Sequence, residues 1–310
     1  MDPVTHTLVG AALGKASFER RTPLALPTLL IGANLPDVDA AAYWWGETFA
    51  LTFRRGWTHG VLAVVVLPCL LTGGMLLWDR FVRRVRDRSA TPASAVQLLA
   101  LSAVAVLSHP LLDLLNVYGI RLLMPFDDQW FYGDVLFIVD PWVWVVLAGG
   151  VIVARRRARP WPARAALLAT GLYVAAMIAS GKAAAWLAVR SAPFAGAGIV
   201  ETMAAPVPLT PFRRWIVVDE GDRYRVGELD WLRRPRVRYD ELVVLAKGDT
   251  HPAVRRLQGI PAAREFLYWA RFPLFRVRER TTGADVDIID ARYAVEADAP
   301  FGTLSVPIPP

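Results

Sequence analysis

Cysteine is nearly absent from this chain, and charge is sparse. With Cys69 alone, no intrachain disulfide is possible and no redox compartment can be read from thiol usage. Cys69 falls inside an apolar run and is expected to be a small core residue. Charged residues make up 20% of the chain against 55% hydrophobic, which excludes an ordinary soluble protein. No basic stretch leads into an apolar core and cleavage site at the start, so no signal peptide is expected and the first helices should be retained. Internal repeats and low-complexity tracts are also missing.

What is present is a set of long apolar runs. Trp57–Trp78 carries no titratable side chain except His59 and Cys69. The only acidic, basic or histidine residues of Ala93–Leu112, Val135–Ala154 and Ala165–Val189 are His109, Asp140 and Lys182 respectively. Each is long enough to cross a bilayer. The net charge of +7 could suggest nucleic acid. Its placement argues otherwise, because Arg80, Arg83, Arg84, Arg86 and Arg88 fill one short loop and Arg155, Arg156, Arg157, Arg159 and Arg164 fill another. Such loops mark the cytoplasmic side of a membrane protein. No nucleic-acid partner is expected; membrane lipids are.

Fixing both arginine loops inside places His59, His109, Asp113, Asp134 and Asp140 at or just below the outer face. Thr5–Ala16 and Leu24–Leu35 are too short to span and read as a helical hairpin, with Gly10 and Gly14 giving a small-residue stripe. Trp44, Trp45, Trp57, Trp130, Trp142 and Trp144 fit an interfacial aromatic belt. Past Gly196 the chain changes character. Pro206, Pro208 and Pro211 form a stiff entry, and strands are expected at Trp215–Val218, Arg223–Leu229, Leu242–Ala246, Leu274–Arg280 and Val286–Tyr293. Pro252–Ala270 reads as one or two short helices. The expected architecture is an α-helical polytopic membrane domain over residues 1–192, then a small β-rich (α+β) extracytoplasmic domain over 196–310.

Four short polar motifs interrupt the apolar context: Asp2-Pro-Val-Thr-His6, Pro36-Asp37-Val-Asp39, Gly56-Trp-Thr-His59 and Ser108-His109-Pro-Leu-Leu-Asp113. Ionisable groups in or beside a membrane are expensive and mark function by default. Mixed imidazole and carboxylate donors suit a transition metal such as zinc. His109 and Asp113 are four apart and share a helical face, and Pro110 is tolerable there if it lies in the first turn of a new helical segment. Asp37 and Asp39 can both point into a site from a loop, and the threonines before His6 and His59 could orient those imidazoles. Asp140 and Asp39 are candidates for a general base or further ligand, and Arg55 for a phosphate clamp. His251 reads as structural.

The order Asp-Pro-x-Thr-His6, Asn34-Leu-Pro-Asp37-x-Asp39, Arg55-Gly-x-Thr-His59 and Ser-His109-Pro-Leu-Leu-Asp113 resembles the YdjM-like family of membrane proteins regarded as metal-dependent hydrolases. The resemblance extends to Pro206-x-Pro208 through Trp215 and to Arg271-Phe-Pro through Asp290-x-Arg292. That family is distantly similar to zinc-dependent phospholipases C and single-strand nucleases, whose ligand order maps onto His6, Asp37, His59, His109 and Asp113. Those soluble enzymes carry a second His-x-x-x-Glu pair, missing here after Asp113, which implies one or two divalent metals, zinc first, rather than three.

The expectation is an inner-membrane hydrolase acting on a phosphoester such as a lipid headgroup. Its metal ligands would be His6, Asp37, His59, His109 and Asp113, with Asp39, Asp140 and Arg55 in catalytic roles. The alternative is a non-catalytic membrane protein, a metal-ion permease or a scaffold with a structural metal. A permease needs polar residues through the whole membrane depth, whereas here they crowd the outer half.

Overall fold

In the computed structural model, which describes residues 1–190, 198–233 and 242–310, the chain divides into two compact units. One comprises Met1–Ala41 with Arg54–Ile178, the other Ala42–Phe53 with Ala179–Pro310. The boundary expected between 192 and 196 lies outside the described residues. The division instead falls within a long helix, and residues 42–53 group with the C-terminal unit.

The first unit is helical. Helix α1 (Pro3–Lys15) starts because Asp2 caps it, accepting from the amides of Val4 and Thr5, with Pro3 in the first turn. It packs on α2 (Ala25–Gly32) through Gly10, where a Cβ would lie 2.8 Å from the Leu29 carbonyl oxygen. The small-residue stripe thus lets two short helices approach closely. A 3₁₀ stretch, Leu35–Trp45, carries Asp37 and Asp39; α3 (Glu47–Phe53), next in the chain, belongs to the second unit. Helix α4 (Val61–Trp78) continues through a π turn at Asp79–Arg83 into α5 (Arg84–Arg86). Then come α6 (Ala95–Leu114), α7 (Pro141–Arg157) and α8 (Trp161–Arg190).

Helix α6 is the hub, packing Leu101 and Ala105 against Ala25 and Leu29, and Leu98 against Leu71 and Met75. A second cluster joins Val9 and Ala12 to Val143, Leu147 and Met177. Among the described residues, three helical stretches are long and apolar enough to cross a membrane: Val61–Arg86, Ala95–Leu114 and Trp161–Arg190.

Several expectations need correcting. The run Val135–Ala154 becomes helical only at Pro141, because the amides of Val135 and Leu136 both donate to the Leu115 carbonyl. Asp140 then caps α7, a helix of 17 residues at the short limit for a span. Pro110 lies inside α6 rather than opening a new segment. Cys69 is exposed on α4, not a core residue. Of the expected tryptophan belt, Trp44, Trp45, Trp57 and Trp142 are exposed. Trp144 turns inward, its indole donating to Thr5 Oγ1 at 2.9 Å, and Trp130 stacks under Arg121.

The second unit is β-rich. β1 (Glu201–Pro206), β2 (Arg213–Asp219), β3 (Arg223–Asp230) and β4 (Val243–Ala246) form one antiparallel sheet in chain order. After α9 (Pro252–Arg256) and α10 (Pro261–Trp269), β5 (Pro273–Glu279), β6 (Ala284–Asp290) and β7 (Thr303–Ile308) form a second. Strand β6 is buried along its whole length, as expected of a central strand. Its last residue, Asp290, pairs with the buried Arg292 over the Trp269 ring.

Candidate metal centre

Four ligand side chains converge inside the helical unit. One donor atom from each of Asp37, His59, His109 and Asp113 lies within 4.8 Å of all the others. His109 and Asp113 come from one face of α6, one turn apart. His59 is presented by a tight turn in which the amides of His59 and Gly60 both donate to the Gly56 carbonyl. Asp37 comes from the 3₁₀ stretch after α2. The spacings are 3.1 Å between His59 Nε2 and His109 Nε2, 3.3 Å and 3.5 Å from these to Asp113 Oδ2, and 3.8 Å from His109 Nε2 to Asp37 Oδ1. Ligands around a tetrahedral zinc at ordinary bond lengths stand about 3.3 Å apart. The donor set fits such an ion.

The neighbours fix which ring nitrogen faces the centre. His109 Nδ1 is 2.7 Å from the Ala33 carbonyl oxygen, which can only accept, so Nδ1 carries the proton and Nε2 a lone pair. The Thr58 hydroxyl donates to Asp39 Oδ2 at 3.0 Å. His59 Nδ1 therefore donates, to Thr58 Oγ1 at 2.9 Å with Asp39 Oδ2 at 3.3 Å. Two lone pairs thus face each other at 3.1 Å beside a carboxylate. Only a cation or a shared proton makes that favourable. Burial pulls the His59 imidazole below its ordinary range, against the opposing hydrogen bond and charge of Asp39, so the proton is disfavoured. Asp113 Oδ2 makes no hydrogen bond in this buried place.

His6 lies flat on His109, with ring centroids 3.7 Å apart, and its Nε2 is 3.3 Å from Asp113 Oδ1. Neither of its buried ring nitrogens makes a hydrogen bond. The Met1 amine pairs with the same Asp113 oxygen. Thr5, expected from its place before His6 to orient that imidazole, instead donates to Asp2 Oδ2 at 2.6 Å and serves the cap.

Asp39 sits behind His59 rather than over the centre. It accepts from the Arg55 amide at 2.8 Å and from Thr58. Burial raises its carboxyl, but His59, Arg54 and the Arg55 amide outweigh this and hold it well below the usual carboxylate range. Arg55 is turned inward. Its Nε is 3.3 Å from Asp113 Oδ2, its Nη1 donates to Asn116 Oδ1 at 2.8 Å, and its guanidinium lies over Tyr118. Arg54 is the more accessible arginine, bridging Asp37 at 3.4 Å and Asp39 at 3.3 Å. Asp140 is outside the group, engaged by the amides of Trp142 and Val143 and by the Tyr173 hydroxyl. Asn116, Tyr118 and the Ala33 carbonyl carried no chemical signal in the sequence; only their position beside the motifs could have pointed to them.

Three comparisons bear on this chain. The sequence profile of a family described as YdjM inner membrane protein matches residues 1–185, which include the whole donor set. An uncharacterized protein, YfhP, of Bacillus subtilis (strain 168) is 24% identical over 153 residues. That alignment covers 47% of this chain and 43% of YfhP, so the chain spans less than half the length of this curated relative. No solved structure matches.

Proposed function

This chain belongs to the YdjM inner membrane protein family, and we propose that its buried His/Asp group is the metal centre of a membrane-embedded hydrolase. The observation that carries this reading is the pair of facing imidazole lone pairs, each tautomer fixed from behind by Ala33 or by Thr58 and Asp39. Bound there, a divalent ion, zinc first among candidates, supplies Lewis acidity and a water acidified towards neutrality.

The chain's own residues do the rest. His59, His109 and Asp113 are fully buried, whereas the Asp37 side chain retains 15% exposure. Asp37 therefore marks the open side, where substrate and water enter. Arg54, beside Asp37, is placed to meet an anionic oxygen with a planar fork of donors. Arg55 orients Asp113, and Asp39 holds the His59 tautomer. A phosphoester suits this combination of cation, arginine and hydrolytic water; a lipid headgroup is the member of that class that a membrane-embedded site reaches directly. We place the centre at the outer face of the inner membrane, with the C-terminal unit outside, because the arginine loops at 80–88 and 155–164 then lie inside. Reporter fusions after Arg88 and Arg159 should read cytoplasm, and fusions after Gly119 and Pro310 outside.

A structural metal is the second reading, favoured by the four protein donors, since structural sites are closed and catalytic ones keep an open position. Metal-loaded protein in liposomes separates the two. Turnover of a phospholipid headgroup, or of a simple phosphomonoester or diester, that disappears on chelation supports the hydrolase. No turnover across that panel, with a large loss of thermal stability on chelation, supports the structural metal.

A further inference from the structure

A second polar site lies away from the metal centre, where the C-terminal ends of α1 and α7 meet. Residues Lys15, Ser17, Glu19, Arg20, Arg155 and Arg159 line a cavity of about 180 Å³ there, together with small residues of the α7 end. Four cations face one carboxylate, and Glu19 is already paired with Lys15 at 2.7 Å. Among the described residues no carboxylate pairs with Arg20, Arg155 or Arg159.

The walls are built rather than incidental. Ala158 takes a left-handed conformation, and the Arg159 amide returns to the Ala154 carbonyl at 3.2 Å, which turns Arg159 back over the helix end. From the other side Arg164 donates to the Ala16 carbonyl at 3.0 Å and to Ser17 Oγ at 2.8 Å, holding the end of α1 against the start of α8. Cations near helix C-termini do offset the helix dipole, but that effect is satisfied within the last turn and does not require a cavity. The size suits a phosphate group with its ester oxygens and is well below that of a pocket for a larger ligand.

We propose that this cavity binds the phosphate of an anionic phospholipid headgroup. The lipid source, rather than a free phosphate, follows from the apolar flank. Ile152, one turn before Arg155, is 49% exposed, and Val145 further along α7 is 70% exposed, which offers acyl chains a surface continuous with the basic mouth. Basic pockets between membrane helices recognise headgroups in this way. The proposal does not depend on the metal centre.

Native mass spectrometry of the full chain in detergent, titrated with phosphatidylglycerol or phosphatidylcholine, tests it. The wild type should retain phosphatidylglycerol in preference to phosphatidylcholine. Arg20→Gln with Arg159→Gln should weaken phosphatidylglycerol retention about thirtyfold, since each cation near a headgroup contributes about a fivefold effect. Arg156→Gln with Arg157→Gln removes the same charge from the same helix end outside the cavity, and should change retention less than about threefold. Unchanged melting temperatures would show that both double variants are folded; if the cavity pair unfolds, single Arg20→Gln should still give a selective loss. Equal losses in the two pairs, or equal retention of both lipids, would overturn the site. Displacement of the lipid by millimolar inorganic phosphate alone would overturn the lipid assignment.

Discussion

His109 Nδ1 lies 2.7 Å from the carbonyl oxygen of Ala33, the residue that ends α2. This contact ties the hub helix α6 to the short second helix and commits the opposite ring nitrogen to the centre. The close packing of α1 and α2 at Gly10 therefore matters to the chemistry as well as to the fold. Without that approach, His6 could not stack on His109, nor could Ala33 be held at the height of the histidine.

Asp39 and Thr58 act through His59. Asp39→Asn and Thr58→Val should each weaken metal affinity by about 10–100-fold with every ligand still present. Competition against a chromophoric chelator reads this directly. An unchanged affinity with reduced turnover would return Asp39 to the role of base suggested by its sequence context.

The metal-free protein should be acid-labile. In the folded state burial holds His59 below its ordinary value of 6.5, so the unfolded chain binds the extra proton first. The stability that His59 contributes is then fully present above about pH 6.5 and falls as pH drops below it, by up to about 1.4 kcal/mol per pH unit. The depressed Asp39 carboxyl adds a loss in the same direction, below about pH 4. Melting temperatures of the apo protein in detergent should decline from pH 8 to pH 5, and His59→Gln should flatten the upper part of that decline. A melting temperature that rises on acidification would contradict the buried neutral imidazole.

The two neighbouring arginines should separate. Arg55→Lys keeps a charge but loses the planar geometry that joins Asp113 to Asn116, and should lower metal content and melting temperature together. Arg54→Gln should leave bound metal near the wild-type level and reduce kcat/KM for an anionic substrate by about 10-fold or more. The reverse pattern would restore Arg55 as the substrate clamp.

Much of this was legible in the sequence, for identifiable reasons. Runs of twenty apolar residues have few other uses, so α4, α6 and α8 were evident. His59, His109, Asp113 and Asp37 stood out because ionisable groups are costly in such surroundings. The start of α7 was hidden because Asp140-Pro141 reads as an interruption within a span rather than as a cap with proline in the first turn. Strands β1 and β7 were masked by prolines. Pro206 ends β1 and Pro307 lies within β7, each strand at the edge of its sheet, where the missing amide donor is tolerated. The inward turn of Arg55 could not be read from spacing, because it depends on Asn116 and Tyr118 arriving from the far end of α6. Asp140 looked like a site carboxylate for the same reason that it is a good cap: it is a lone acid beside an apolar helix.

Elemental analysis of detergent-purified protein, prepared without chelators, tests the central claim most directly. The wild type should carry at least about one equivalent of zinc or a similar transition metal, and a folded His59→Ala, His109→Ala double variant should carry almost none. A metal-free wild type that stays so after incubation with zinc, or full occupancy in the folded double variant, would contradict the account.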